Sequence, residues 1–257
     1  MEIEEEILDF INNGHKDHFT DVTIDCVIFG YHELQLKVLI GKRFGVNGSS
    51  FPGGHIGRNE TLTGAASRIL KDRTSLNHIF LQQFHTFGDS MFRLKDFNND
   101  LPQIAKDSLP ADNWLFQRTF VVGFYALIDF SKVKIKKDFF FEQFAWLDIN
   151  DIPPLLYDHN EMLDKALTAL RNQIYHQPIG YNLLPEKFTL PEIIALYETI
   201  LNKKLDRRNF PKKLMSLEIM IKLDEKRNIG QHRAPYLYKF DKEKYNKALK
   251  EGIILVF

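Results

Sequence analysis

The chain has 257 residues, 44% of them hydrophobic, with 34 basic side chains against 34 acidic ones and a single cysteine. That suffices for one large core or two modest ones, and Cys26 alone excludes an internal disulfide or a thiolate metal cluster. An acidic start and the lack of an apolar run long enough to span a bilayer predict a cytoplasmic protein with no membrane attachment.

The even charge balance conceals an asymmetry. Residues 188–257 carry 15 Lys and Arg against 9 Asp and Glu, a net of +6, whereas residues 1–187 carry 19 against 25, a net of −6. A basic tail on an acidic body is the pattern expected where one part meets a polyanion.

Residues 1–20 read as an N-terminal extension. A weakly amphipathic turn or two (Ile3, Ile7, Leu8, Phe10, Ile11) precedes a solvated polar stretch, in which His15, Asp17 and His18 lack the further Cys or His that a metal site needs. From Val22 the apolar period becomes two. Val22, Ile24, Cys26 and Ile28 lead through a turn at Gly30-Tyr31-His32-Glu33 to Leu34, Leu36, Val38 and Ile40, which predicts a hairpin. Phe51-Pro52-Gly53-Gly54 predicts a turn into a loop. Asn59 can then cap a helix whose buried face is Leu62, Ala65, Ala66, Ile69 and Leu70.

Further strands are expected at 79–86 and 119–130, with a last aromatic strand or turn at 139–147. The polar segment 90–117 is too long for an ordinary connection, so it is either a functional loop or an extra element. Asp158 suits a helix cap better than an acid catalyst, and Met162, Ala166, Leu167 and Leu170 give the helix that follows one apolar face. Residues 178–185 read as a connector. Strands, a helix and strands again make an α+β domain over residues 21–175, a mixed sheet flanked by helices.

The remainder, 176–257, forms a second domain. Thr189-Leu190-Pro191-Glu192 is a helix start, with Thr189 as cap and Pro191 in the first turn, where its missing N–H costs nothing. After the turn Asn202-Lys203-Lys204-Leu205, Asp206 can cap a second helix bearing Arg207, Arg208, Asn209, Lys212 and Lys213. Pro211 would delete a backbone bond in a helix counted from Asp206, so the helix starts near Asn209 or its first turn is irregular. Strand, basic loop and strand over 219–240 complete a wing carrying Arg227, Gln231, His232 and Arg233. Two helices, the second basic, and a basic hairpin predict a winged helix-turn-helix on double-stranded DNA.

The spacing of Gly54, Glu60, Arg68, Leu70 and Leu76 resembles the Nudix box. In that family, glutamates on one helix face hold divalent cations that neutralise a phosphoanhydride before water attacks. Here Ile69, Asp72 and Arg73 stand at those three positions and Ser75 replaces the helix-ending Gly, so the resemblance implies the fold without the hydrolase chemistry, with no catalytic residue, metal or cofactor. Over nearly the whole chain after residue 20 the order of motifs is similar to that of the Nudix-related transcriptional regulators, through the box, Phe84-His85-Thr86-Phe87-Gly88, Asp206-Arg207-Arg208-Asn209-Phe210 and Leu237-Tyr238-Lys239-Phe240. That resemblance implies a ligand-responsive repressor that binds operator DNA as a homodimer. Its effector would be a sugar such as arabinose, toward which the 178–185 connector leans, or an ADP-ribose-like nucleotide. An effector is expected between the first hairpin, residues 51–60 and residues 84–87, with Asp25, Arg43, Phe51, Gly53, Gly54, Glu60 and Phe84 as its wall. The alternatives are a Nudix hydrolase acting on nucleoside diphosphate derivatives and a protein-binding module.

Overall fold

The computed structural model describes residues 2–44, 47–76, 80–89, 113–130, 133, 140–228 and 234–255. The chain forms two compact units, Met1–Phe29 with Lys37–Ala166, and Gly30–Leu36 with Leu167–Phe257.

In the first unit, helix α1 covers Glu2–Asp17. One continuous helix thus replaces the expected turn or two and solvated linker. Ile7 and Ile11 are buried, and the Asn113 and Trp114 side chains both donate to the Ile11 carbonyl, at 3.2 and 2.8 Å. At the other end Arg58 donates to the carbonyls of His15 and Lys16, at 2.9 and 3.0 Å, placing a cation on the negative end of the helix.

Strands β1 (His18–His32) and β2 (Gln35–Arg43) form the expected hairpin, but the turn falls later, on Glu33 and Leu34, at φ 49° and 64°. Positive φ at both central residues is the mark of a type I′ turn, whose twist matches that of the flanking strands. Then come β3 (Ser49–Ser50), β4 (Gly53–Gly57), α2 (Leu62–Thr74), β5 (Phe80–Phe87), a 3-10 turn (Trp114–Phe116), β6 (Phe120–Ile128) and β7 (Phe141–Asp148). Among the described residues the seven strands form one sheet ordered β3-β2-β1-β6-β5, with β4 paired to β1 and β7 to β2. Alternation along β1 directs Ile24, Cys26 and Ile28 into a core with Ala65, Ala66, Ile69 and Leu70 of α2, and leaves Thr23 and Asp25 for the other face.

Two local expectations are corrected. The glycine-rich stretch is strand rather than loop, with Gly53 opposite Asp25 and Gly54 opposite Ile24. A Cβ at Gly53 would collide with the Asp25 carboxylate, so only glycine allows this approach. The cap of α2 is Thr61, whose hydroxyl accepts from the Gly64 N–H at 3.0 Å, and not Asn59.

Helix α3 (His159–Gln173) passes from the first unit into the second. The division falls inside it, between Ala166 and Leu167. Its later half and the turn beyond bond to C-terminal residues: Arg171 Nε donates to Ile200 O at 2.9 Å, and Tyr175 O accepts from Leu255 N at 3.0 Å.

The second unit continues with β8 (Phe188–Thr189), α4 (Leu190–Leu201), α5 (Asn209–Ser216), β9 (Met220–Lys226), β10 (Tyr236–Phe240) and α6 (Lys242–Glu251). Its three strands are ordered β8-β10-β9. Thr189 and Glu192 form a reciprocal capping box, and Asn202 ends α4 in the left-handed region at φ 51°. Because α5 begins at Asn209, Pro211 sits in its first turn and breaks no helical bond. Helix α6 was not anticipated. Asp241 caps it by accepting from Lys244 N at 3.2 Å, and buried Tyr245 ties it down by donating to Pro178 O at 2.8 Å.

Candidate effector pocket and nucleic-acid interface

A cavity of about 120 Å³ opens on the face of β1 opposite α2. Asp25, Arg43, Phe51, Gly53 and Gly54 line it, five of the seven residues named from the sequence. Thr23, Ser50, His55, Phe140, Tyr157 and His159 complete most of its wall.

Glu60 and Phe84, also named from the sequence, are not part of that wall. Glu60 is engaged by Arg68, whose Nε and Nη2 donate to its two oxygens at 2.7 and 2.9 Å, and it accepts the Gly57 N–H at 3.0 Å. The Arg68 contact holds its carboxyl down at about 2, so the side chain is a fixed anion that locks the strand-to-helix loop. Phe84 on β5 packs against Phe87 and Tyr125, at ring distances of 5.9 and 6.3 Å.

His159, at the start of α3, was missed. Its Nδ1 accepts the Phe51 N–H at 2.8 Å, which leaves the proton on Nε2. That nitrogen lies 3.2 Å from Asp25 Oδ2, within ion-pair range though short of an aligned hydrogen bond. The ring stacks on Phe51 at 5.3 Å and 11°. The preceding Asp158 occupies the cap position, its carbonyl accepting from Met162 N at 2.9 Å. The signal for His159 was a histidine directly after a helix cap, but nothing local to it points to Asp25 or Phe51.

Arg43 is half-buried, its Cζ 5.5 and 5.2 Å from the ring centres of Phe140 and Phe141. Its Nε is buried with no hydrogen-bond partner among the described residues. Nearby, His55 sits among Phe10, His18 and Trp114. Burial lowers its imidazole to about 4, so the ring is neutral at physiological pH.

The three family metal-ligand positions do not suit a divalent cation. Ile69 is in the apolar core. Arg73 is buried, its guanidinium 5.3 Å from the Phe141 ring centre. Asp72 is half-exposed on the helix surface, 3.9 Å from Arg68 Nη1. A buried hydrocarbon and a cation flank the one carboxylate, and hard cations need clustered anionic oxygens.

In the second unit, Phe210 and Leu214 bury one face of α5 while Arg207, Arg208, Asn209, Lys212 and Lys213 are all exposed. Asp206 Oδ1 accepts the N–H groups of Arg208 and Asn209, each at 2.8 Å, and fixes the entry to the helix. Of the wing residues, Gln231, His232 and Arg233 lie outside the described residues. Arg227 is engaged within the fold. Its guanidinium bonds the Glu192 carboxylate and donates to Lys187 O at 2.7 Å, so it anchors the β9–β10 hairpin to the start of α4. Lys222 and Lys226 are exposed on β9, their ammonium groups 3.7 and 4.8 Å from the Tyr236 ring centre. The sequence did not single them out.

Residues 180–240 match the family model of the NrtR DNA-binding winged helix domain. The chain is 24% identical over 232 residues to the ADPR responsive transcriptional repressor NtrR of Acinetobacter baylyi, covering 88% of this chain and 84% of that protein. Its fold is that of Shewanella oneidensis NrtR, solved with a 27mer DNA, at TM-score 0.68, 24% identity and coverage of 88% of this chain and 95% of that one. A MutT/nudix family protein from Enterococcus faecalis shares the fold at TM-score 0.58 and 18% identity, with 92% and 98% covered.

Proposed function

We propose that this chain is a ligand-responsive transcriptional repressor that binds double-stranded operator DNA as a homodimer, through α5 and the β9–β10 wing. The carrying observation is the exposed basic surface at α5, where Arg207 and Arg208 just before the helix and Asn209, Lys212 and Lys213 on it lie opposite the buried Phe210 and Leu214. The winged-helix match over 180–240 supports it.

The effector is an ADP-ribose-like nucleotide held in the cavity of the first unit. Similarity to a repressor described as ADPR responsive favours this over the arabinose alternative, which gains no support. Hydrolysis is not its role, because Ile69 and Arg73 stand where metal ligands would be needed. Action on DNA in the cytoplasm agrees with the absence, among the described residues, of a helix long and apolar enough to cross a membrane.

The test is selection of bound fragments from random DNA, followed by binding to the enriched sequence at rising salt and with ADP-ribose added. The expected result is a two-fold symmetric motif, a steep fall of affinity with salt through counterion release, and release of the DNA by ADP-ribose. Failure to enrich any sequence would overturn the DNA-binding assignment, and indifference of the complex to ADP-ribose would overturn the effector assignment.

A further inference from the structure

We infer that the cavity holds the anionic part of its effector without a divalent cation, and that Arg43 is the specificity-determining residue that supplies the positive charge. This rests on the effector reading given above and adds what recognises the phosphates.

A bound pyrophosphate must have its charge met. In the hydrolase version of this fold, metal ions held by α2 do so. Here those positions supply no cluster of anionic oxygens: Ile69 is in the apolar core between α2 and the sheet, where a Cβ on Gly54 would lie 3.4 Å from its Cδ1. Asp72 is turned to Arg68, and Arg73 is a cation beside Phe141.

Arg43 is the cationic residue of the wall, and among the described residues its Nε has no partner. Packing beside Phe140 and Phe141 orders its guanidinium, so its donors are pre-set for the oxygens of a phosphate. The cavity's carboxylate, Asp25, is turned to His159, its Oδ2 3.2 Å from the ring Nε2. The neighbouring His55 is kept neutral by its burial. The cavity, about 120 Å³, is below the roughly 300–1,000 Å³ of a site that swallows a drug-sized ligand, which suits capture of one sugar-phosphate portion.

Calorimetry on the full chain with ADP-ribose and with adenosine, in magnesium and in EDTA, tests this. The wild type should bind ADP-ribose equally in both buffers and adenosine only weakly. Arg43→Gln should bind ADP-ribose about tenfold to a hundredfold less tightly, in line with loss of charge-assisted hydrogen bonds. Arg43→Lys should recover part of the loss, and melting curves should show both variants folded. Loss of wild-type binding in EDTA would overturn the inference whether or not the variants fold, and so would unchanged affinity in Arg43→Gln. Absence of ADP-ribose binding by the wild type in either buffer would instead remove the effector reading on which it rests.

Discussion

Glu60→Gln separates a structural lock from a ligand contact. The carboxylate accepts two hydrogen bonds from Arg68 and one from Gly57 N, and is 27% exposed while its arginine is 38% exposed. Lowering its carboxyl from 4.5 to about 2 corresponds to at most about 3 kcal/mol of folding free energy. Solvent screening of so accessible a pair brings the expected cost to about 1–2 kcal/mol. At about 2–4 °C per kcal/mol, the melting temperature at neutral pH should fall by roughly 2–8 °C. The pH dependence carries a sign. A depressed carboxyl stabilises fully above its unfolded value of 4.5, and the contribution is lost as pH falls toward about 2, so wild type and variant should converge over that window. Denaturant unfolding at neutral and acid pH measures both effects, and a cycle with Arg68→Met isolates the pair. ADP-ribose affinity should be unchanged. A variant that melts like the wild type but no longer binds ADP-ribose would refute this account and return Glu60 to the ligand site.

Three further outcomes are expected. Arg208→Ala should cost about 1–3 kcal/mol on the selected operator and relax preference at one base position, whereas Lys213→Ala should weaken operator and random DNA alike and reduce the salt slope by about one. Arg227→Ala should lower stability by about 1 kcal/mol through loss of its Glu192 anchor while leaving the salt slope unaltered, and a slope reduced by about one would show a phosphate contact instead. The double change Glu33→Asn with Leu34→Gly should raise stability by about 1 kcal/mol in equilibrium unfolding, since both residues now hold positive φ without a glycine; no gain would mean their side chains compensate the strain.

The elements that formed where the sequence placed them are those with a local cause. The period-two run of β1 and the helix start at Thr189–Glu192 are set by neighbours within a few residues. Errors arose where a distant partner decides. Gly53-Gly54 resembles a turn in isolation, yet the pair becomes a strand because β1 offers Ile24 and Asp25 as partners and the close approach leaves no room for a Cβ. The N-terminal segment looked like a linker because the groups that secure it, Arg58, Asn113 and Trp114, stand far along the chain.

The site divides along the same line. The residues at the positions that resemble the Nudix-box glutamates could be read as unfit from their chemistry alone, since a hydrocarbon and a guanidinium cannot ligate a hard cation wherever they point. What occupies the cavity in their place could not be read, because it is made by contacts between distant segments. His159 reaches Phe51 across 108 positions, and Asp25 comes from the first strand. Arg43 and Glu60 were both named as wall residues on the same grounds, and they differ only in company. Arg68 lies two turns along the helix and saturates Glu60, whereas Arg43 lies beside aromatic faces, with no carboxylate paired to it among the described residues. A charge already answered in the fold serves stability, and one left unanswered beside a cavity is available to a ligand.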